Sequence, residues 1–146
     1  MQASKRAIAL DVGTKTIGVA VSDPLGLFAQ PYTTLSRQSV KKDAAALAEI
    51  CRRLEVTALV VGLPLELDDT EARSARLARQ VGEALGELLG LRPVYIDERY
   101  SSVEAERGLV QMNMRRVKRK QVIDQSAAMV ILTSYLEHGD WSGLNG

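Results

Sequence analysis

Three acids in this chain stand where a carboxylate could do chemistry. Asp11 ends the apolar run Ala7-Ile-Ala-Leu10, Glu98 follows Val94-Tyr-Ile96 between Asp97 and Arg99, and Asp124 opens an apolar helical segment between Ile123 and Gln125. A carboxylate at the end of a buried strand is expensive to desolvate, so Asp11 needs compensation. Central strands side by side, with the last helix packed across them, would bring the three acids to one end of a sheet, where they repel. A hard divalent cation relieves that repulsion, and oxygen-only ligation suits Mg²⁺ or Mn²⁺ rather than zinc. Two such ions roughly 3.5–4 Å apart can clamp the attacking and leaving oxygens of a phosphodiester while activating a water. Each acid also has a plainer reading. Asp11 could simply start the turn Asp-Val-Gly, Glu98 could be a surface charge, and an acid in a first helical turn is favoured by the helix dipole alone.

The basic residues supply a second pattern. Residues 107–120 hold six basic groups and no acid, within a chain whose formal net charge is only +1. Arg115, Arg116, Lys118, Arg119 and Lys120 form a local footprint for an anion just ahead of Asp124, or else an ordinary solvated loop. Lys15, in the turn after Asp11, could hold a phosphate. Arg99 could stabilise transition-state charge or pair with a carboxylate. Gly13 and Gly18 permit close backbone approach, although a hairpin turn explains Gly13 equally well. Asp97 and Glu66 stand in reserve as metal ligands, beside plainer roles as a strand-end acid and a solvated loop residue. Cys51 is read as structural and His138 as incidental.

The elements that must position these residues follow from periodicity. Arg6–Asp11 reads as a central strand covered on both faces, Val12–Lys15 as a tight turn, and the β-branched Thr16–Ser22 as its antiparallel partner. A third strand is expected near Tyr32–Ser36. Leu47, Ile50, Cys51 and Leu54 at i, i+3, i+4, i+7 make Lys42–Glu55 an amphipathic helix with Cys51 toward the core. Thr57–Val61 is a second buried strand. Ala78, Val81, Leu85, Leu88 and Leu89 mark a helix capped near Asp69 or Thr70 and closed by Gly90, and Pro93–Asp97 is another strand. Ser101-Ser-Val-Glu104 matches a capping box opening a helix through Leu109, Met112–Gln121 is a basic loop, and Val122–Glu137 a long helix. The order β-β-β-α-β-α-β-α-α gives an α/β fold with a mixed central sheet, an antiparallel hairpin plus parallel strands, flanked by helices.

A chain of 146 residues, 46% hydrophobic and 25% charged, fits one domain over 1–146 and excludes a disordered or collagenous chain. One cysteine and one histidine exclude a disulfide framework, a thiolate zinc site and a multi-histidine metal site. No apolar run is long enough to span a membrane, and a cytoplasmic location is expected.

Four blocks carry a resemblance. Ala9-Leu-Asp-Val-Gly-Thr-Lys-Thr-Ile-Gly-Val-Ala-Val-Ser-Asp23, Val60-Val-Gly-Leu-Pro-Leu65, Ile96-Asp-Glu-Arg-Tyr-Ser-Ser102 and Ile123-Asp-Gln-Ser-Ala-Ala-Met-Val-Ile-Leu132 closely resemble, in order, the signature blocks of the bacterial YqgF/RuvX family. The resemblance implies an RNase H-like fold and a metal-dependent nuclease. The implied role is processing of the 5′ end of pre-16S ribosomal RNA, with Holliday-junction resolution as the alternative. It implies that Asp11, Glu98 and Asp124 are the metal-binding and catalytic acids, served by Mg²⁺ or Mn²⁺. The implied partners are RNA, branched or single-stranded DNA, and pre-ribosomal particles, and cutting two symmetric strands would call for a homodimer. This chain departs from the pattern at Tyr100-Ser-Ser, where Leu-Thr-Thr is commoner, and at Leu67-Asp-Asp-Thr70, which lacks a glycine.

Two other classes compete. Leu10-Asp-Val-Gly-Thr14 followed by Ile17-Gly18 also resembles the first phosphate loop of actin- and hexokinase-like ATPases, but those bind ATP between two related domains and this chain supplies one. A non-catalytic RNA-binding adaptor would use the basic loop alone and would have no need of the three acids.

Overall fold

The computed structural model describes residues 4–63, 69–97 and 127–137. Strand β1 (Ala7–Val12) turns through Gly13–Lys15 into its antiparallel partner β2 (Thr16–Ser22), which pairs with the edge strand β3 (Ala29–Ser36). Helix α1 (Val40–Arg53) leads to β4 (Ala58–Leu63), parallel to β1, and α2 (Asp69–Leu89) leads to β5 (Val94–Asp97), parallel to β4. The sheet order is β3-β2-β1-β4-β5, so β1 is central, as its continuous apolar run requires. Residues 127–137 form a further helix, α3.

The two faces of the sheet are covered separately. Ile8, Leu10 and Val12 of β1, with Ile17, Val19 and Val21 of β2 and Tyr95 of β5, pack in one core with Leu47 and Cys51 of α1 and Val81 and Leu85 of α2. The alternate residues Ala7, Ala9, Ala20, Val60 and Ile96 pack in a second core with Ala128, Ile131 and Leu132 of α3. Three alanines on that second face leave little side-chain bulk between α3 and the sheet.

Boundaries shift for local reasons. β3 begins at Ala29, ahead of the expected Tyr32, because an edge strand tolerates Pro31, which pairs with Ala20 beside a shift of register. α1 begins at Val40, since the Ser39 side chain caps it by accepting the Lys42 N–H at 3.1 Å. β4 runs on to Leu63, two residues past the expected end. α2 closes at Gly90 with φ 68°, the left-handed conformation glycine adopts without strain. The expected helix from Ser101 and the basic loop lie outside the described residues. The described part of the expected Val122–Glu137 helix is helical.

Candidate active site

β1, β4 and β5 are parallel, so their C-terminal ends share one edge of the sheet, and Asp11 lies at that edge. The period of two along β1 puts Asp11 in series with Ala7 and Ala9, on the face covered by α3. Asp11 is half-buried, and its partner across the hairpin is Gly18. On the other side, β4 reaches Gly62 one residue beyond the Leu10–Val61 pair. Across the hairpin, Asp11 therefore faces a residue without a side chain.

The turn after Asp11 is tightly built. The Gly13 N–H donates to the Thr16 carbonyl at 2.8 Å, and a Cβ on Gly13 would stand 3.1 Å from that same oxygen. Thr14 and Lys15 are exposed at its tip, on the Asp11 edge of the sheet. Asp97 ends β5 in the series of Tyr95 rather than Ile96 and is buried, which puts it on the sheet face opposite Asp11. That position fits the strand-end acid of the plainer reading better than a ligand sharing an ion with Asp11.

Of the residues expected at the site, Asp11 and Lys15 are thus brought to one edge. Glu98, Arg99, Arg115, Arg116, Lys118, Arg119, Lys120 and Asp124 lie outside the described residues, as does Glu66. Among the described residues no three acids, histidines or cysteines group as a metal site. Asp11 supplies a hard oxygen donor of the kind Mg²⁺ and Mn²⁺ prefer.

Two charged residues that the sequence reading passed over hold the turn. Arg37 follows β3, and its Nε donates to Asp43 Oδ2 at 2.7 Å, with both side chains nearly buried at 11% and 5% exposure. Arg37 Nη1 donates to the Gly13 carbonyl at 3.1 Å, and the Arg37 backbone N–H donates to the Lys15 carbonyl at 2.8 Å. Asp43 Oδ1 accepts the Gln38 N–H at 3.0 Å. In the sequence, Asp43 looks like any acid in a first helical turn, and nothing pairs it with Arg37. Asp23, inside the first resemblance block, is structural. It accepts the N–H groups of Leu25, Leu27 and Phe28 at 3.2, 2.8 and 2.7 Å, and these bonds, Phe28's foremost, hold its carboxyl below the ordinary value.

Comparison with known proteins gives the family. Residues 5–138 match the family model described as RuvX: Holliday junction resolvase. A Myxococcus xanthus protein is 48% identical over 132 residues, covering 90% of this chain and 87% of that protein. A Moorella thermoacetica protein is 46% identical over 141 residues, covering 97% of this chain and 99% of that protein. Both carry the name "Putative pre-16S rRNA nuclease". Among solved structures, Thermus thermophilus RuvC in complex with a Holliday junction substrate superposes with TM-score 0.59 at 13% identity, covering 95% of this chain and 96% of that one. The fowlpox virus Holliday junction resolvase gives TM-score 0.55 at 9% identity, covering 90% and 98%. These neighbours establish the RNase H-like fold that the resemblance implied, with its mixed sheet and flanking helices. With relatives of this identity along nearly its whole length, the chain belongs to the RuvX family.

Proposed function

We propose that this chain is a metal-dependent nuclease that hydrolyses phosphodiester bonds in the 5′ extension of pre-16S ribosomal RNA. The observation that carries the reading is the position of Asp11, at the C-terminal end of the central strand, on the face covered by α3, opposite Gly18. Glu98 and Asp124 are the acids proposed to complete the group. Asp97 occupies the other face, and Glu98 follows it directly in the sequence. Asp124 lies three residues ahead of α3, the helix on the Asp11 face.

These three acids would hold Mg²⁺ or Mn²⁺, in two sites. Bound there, the ions would supply Lewis acidity toward the phosphodiester and the attacking water. The protein's own groups bind and orient the substrate. Lys15 would meet a phosphate from the turn beside Asp11, Arg99 would offset charge developing on the phosphoryl oxygens, and Arg115, Arg116, Lys118, Arg119 and Lys120 would track the backbone of a flexible strand. Among the described residues no helix is long and apolar enough to cross a membrane. We place the work in the cytoplasm, on pre-ribosomal particles.

The second reading is Holliday-junction resolution, favoured by the fold shared with RuvC. Incubating the protein with Mn²⁺ or Mg²⁺ and labelled pre-16S RNA, single-stranded DNA or a synthetic four-way junction separates the two. Cleavage in the 5′ extension of the RNA is the expected result. Paired symmetric nicks in the junction, made by a dimer and without RNA cleavage, would give the site to resolution instead.

A further inference from the structure

Arg37 bonds to both ends of the turn that follows Asp11. Its guanidinium reaches the Gly13 carbonyl at 3.1 Å and its backbone N–H the Lys15 carbonyl at 2.8 Å. The guanidinium is itself fixed by Asp43 of α1 at 2.7 Å. Only Thr14 lies between the two anchored residues, so turn, edge strand and first helix are joined at one point. The pair is nearly buried, so it is screened far less than a surface ion pair. Its geometry uses the planar fork of arginine. One nitrogen meets a carboxylate while another meets a carbonyl, which a lysine ammonium on a flexible stem does not reproduce as a rigid unit.

We infer that Arg37, locked by Asp43, is a positioning residue that fixes the Gly13–Lys15 turn in the shape that presents the Lys15 ammonium to a nucleic-acid phosphate at the Asp11 edge. The inference rests on the nuclease reading of that edge, and it adds a residue that acts on substrate only through Lys15. An anchored turn spends less conformational entropy when Lys15 meets its phosphate than a loose one would.

The test is a double-mutant cycle on affinity, read by anisotropy of a fluorescein-labelled single-stranded RNA in EDTA, so that no cleavage intervenes. Lys15→Ala should weaken binding about fivefold and flatten the dependence of log affinity on log salt by about 0.7, the loss of one single-strand phosphate contact. Arg37→Lys should do the same although it keeps the charge, and the double variant Lys15→Ala/Arg37→Lys should bind no worse than either single one. Arg37→Ala leaves the Asp43 carboxylate buried without its cation, so the lysine variant decides if the alanine variant does not fold. Effects that multiply in the double variant, an Arg37→Lys protein with wild-type affinity and salt slope, or a Lys15→Ala protein with unchanged binding would each overturn the inference. The nuclease reading fails separately, through Asp11→Asn retaining cleavage, which the binding cycle does not measure.

Discussion

Asp11 and Asp23 lie in one stretch of sequence and do different work because their surroundings differ. Asp23 spends its carboxylate on three backbone N–H groups of the β2–β3 connection, and these hold its acidity below the ordinary range. Its contribution to stability is full above the ordinary carboxylate value and is lost as pH falls through its lowered one. Asp23→Ala should therefore lower the melting temperature at neutral pH, and the gap from wild type should narrow in acid. Equal melting temperatures at neutral pH would show those bonds to be idle. Cys51 gives the opposite sign. Burial against the sheet, slightly offset by Arg52, pushes its thiol up to about 12 from 9.0. The folded state thus favours the protonated form, and stability should fall as pH rises from about 9 toward about 12. At pH 8 the thiol should resist alkylation by iodoacetamide until the protein unfolds, whereas rapid labelling of the native protein would contradict the burial.

At the scale of elements, what packs decides what a local preference is worth. Replacing a glycine inside a helix by alanine ordinarily stabilises by roughly 1 kcal/mol. In α2, however, a Cβ on Gly86 would stand 2.5 Å from the Leu91 carbonyl and 3.0 Å from Pro93 Cδ, where the chain doubles back toward β5. Overpacking of that kind costs on the order of 1–3 kcal/mol, so Gly86→Ala should destabilise, as a chemical-denaturation midpoint would report. A rise in that midpoint would show the connection to be slack. Among the described residues, strand and helix identities were legible from residue types alone, because Ala7–Leu10 is apolar on both faces and Leu47, Ile50, Cys51 and Leu54 keep helical spacing. The start of β3 was not legible, since Pro31 argues against a strand until the strand is known to be an edge. Nor was the brace of Arg37 and Asp43, because an ion pair between a strand end and a helix start has no periodicity to announce it. Asp11 was readable as a strand-end acid from its neighbours, but that Gly18 faces it depends on the hairpin register.

At the scale of the whole molecule, net charge hides a strong asymmetry, since six basic groups crowd into residues 107–120 while the chain totals +1. If Arg115, Arg116, Lys118, Arg119 and Lys120 all meet phosphates of one strand, log affinity should fall with log salt at a slope of roughly −3.5. Replacing Arg115, Arg116 and Lys118 by alanine should flatten that slope by about 2 and weaken binding, while largely sparing the single-turnover rate at saturating substrate. An unchanged slope would return the cluster to the solvated loop. The sheet has two helices on one face and α3 on the other, and the central strand brings its acid to the edge where the parallel strands end. Asp11 is the acid on which cleavage should depend, and the most direct test is single-turnover cleavage of a pre-16S RNA carrying its 5′ extension, in saturating Mn²⁺, by wild type and Asp11→Asn. The prediction is cleavage in the extension by the wild type, a loss on the order of 100-fold in the variant, and a melting temperature for the variant equal to or above wild type without metal. Wild-type cleavage by Asp11→Asn would contradict it.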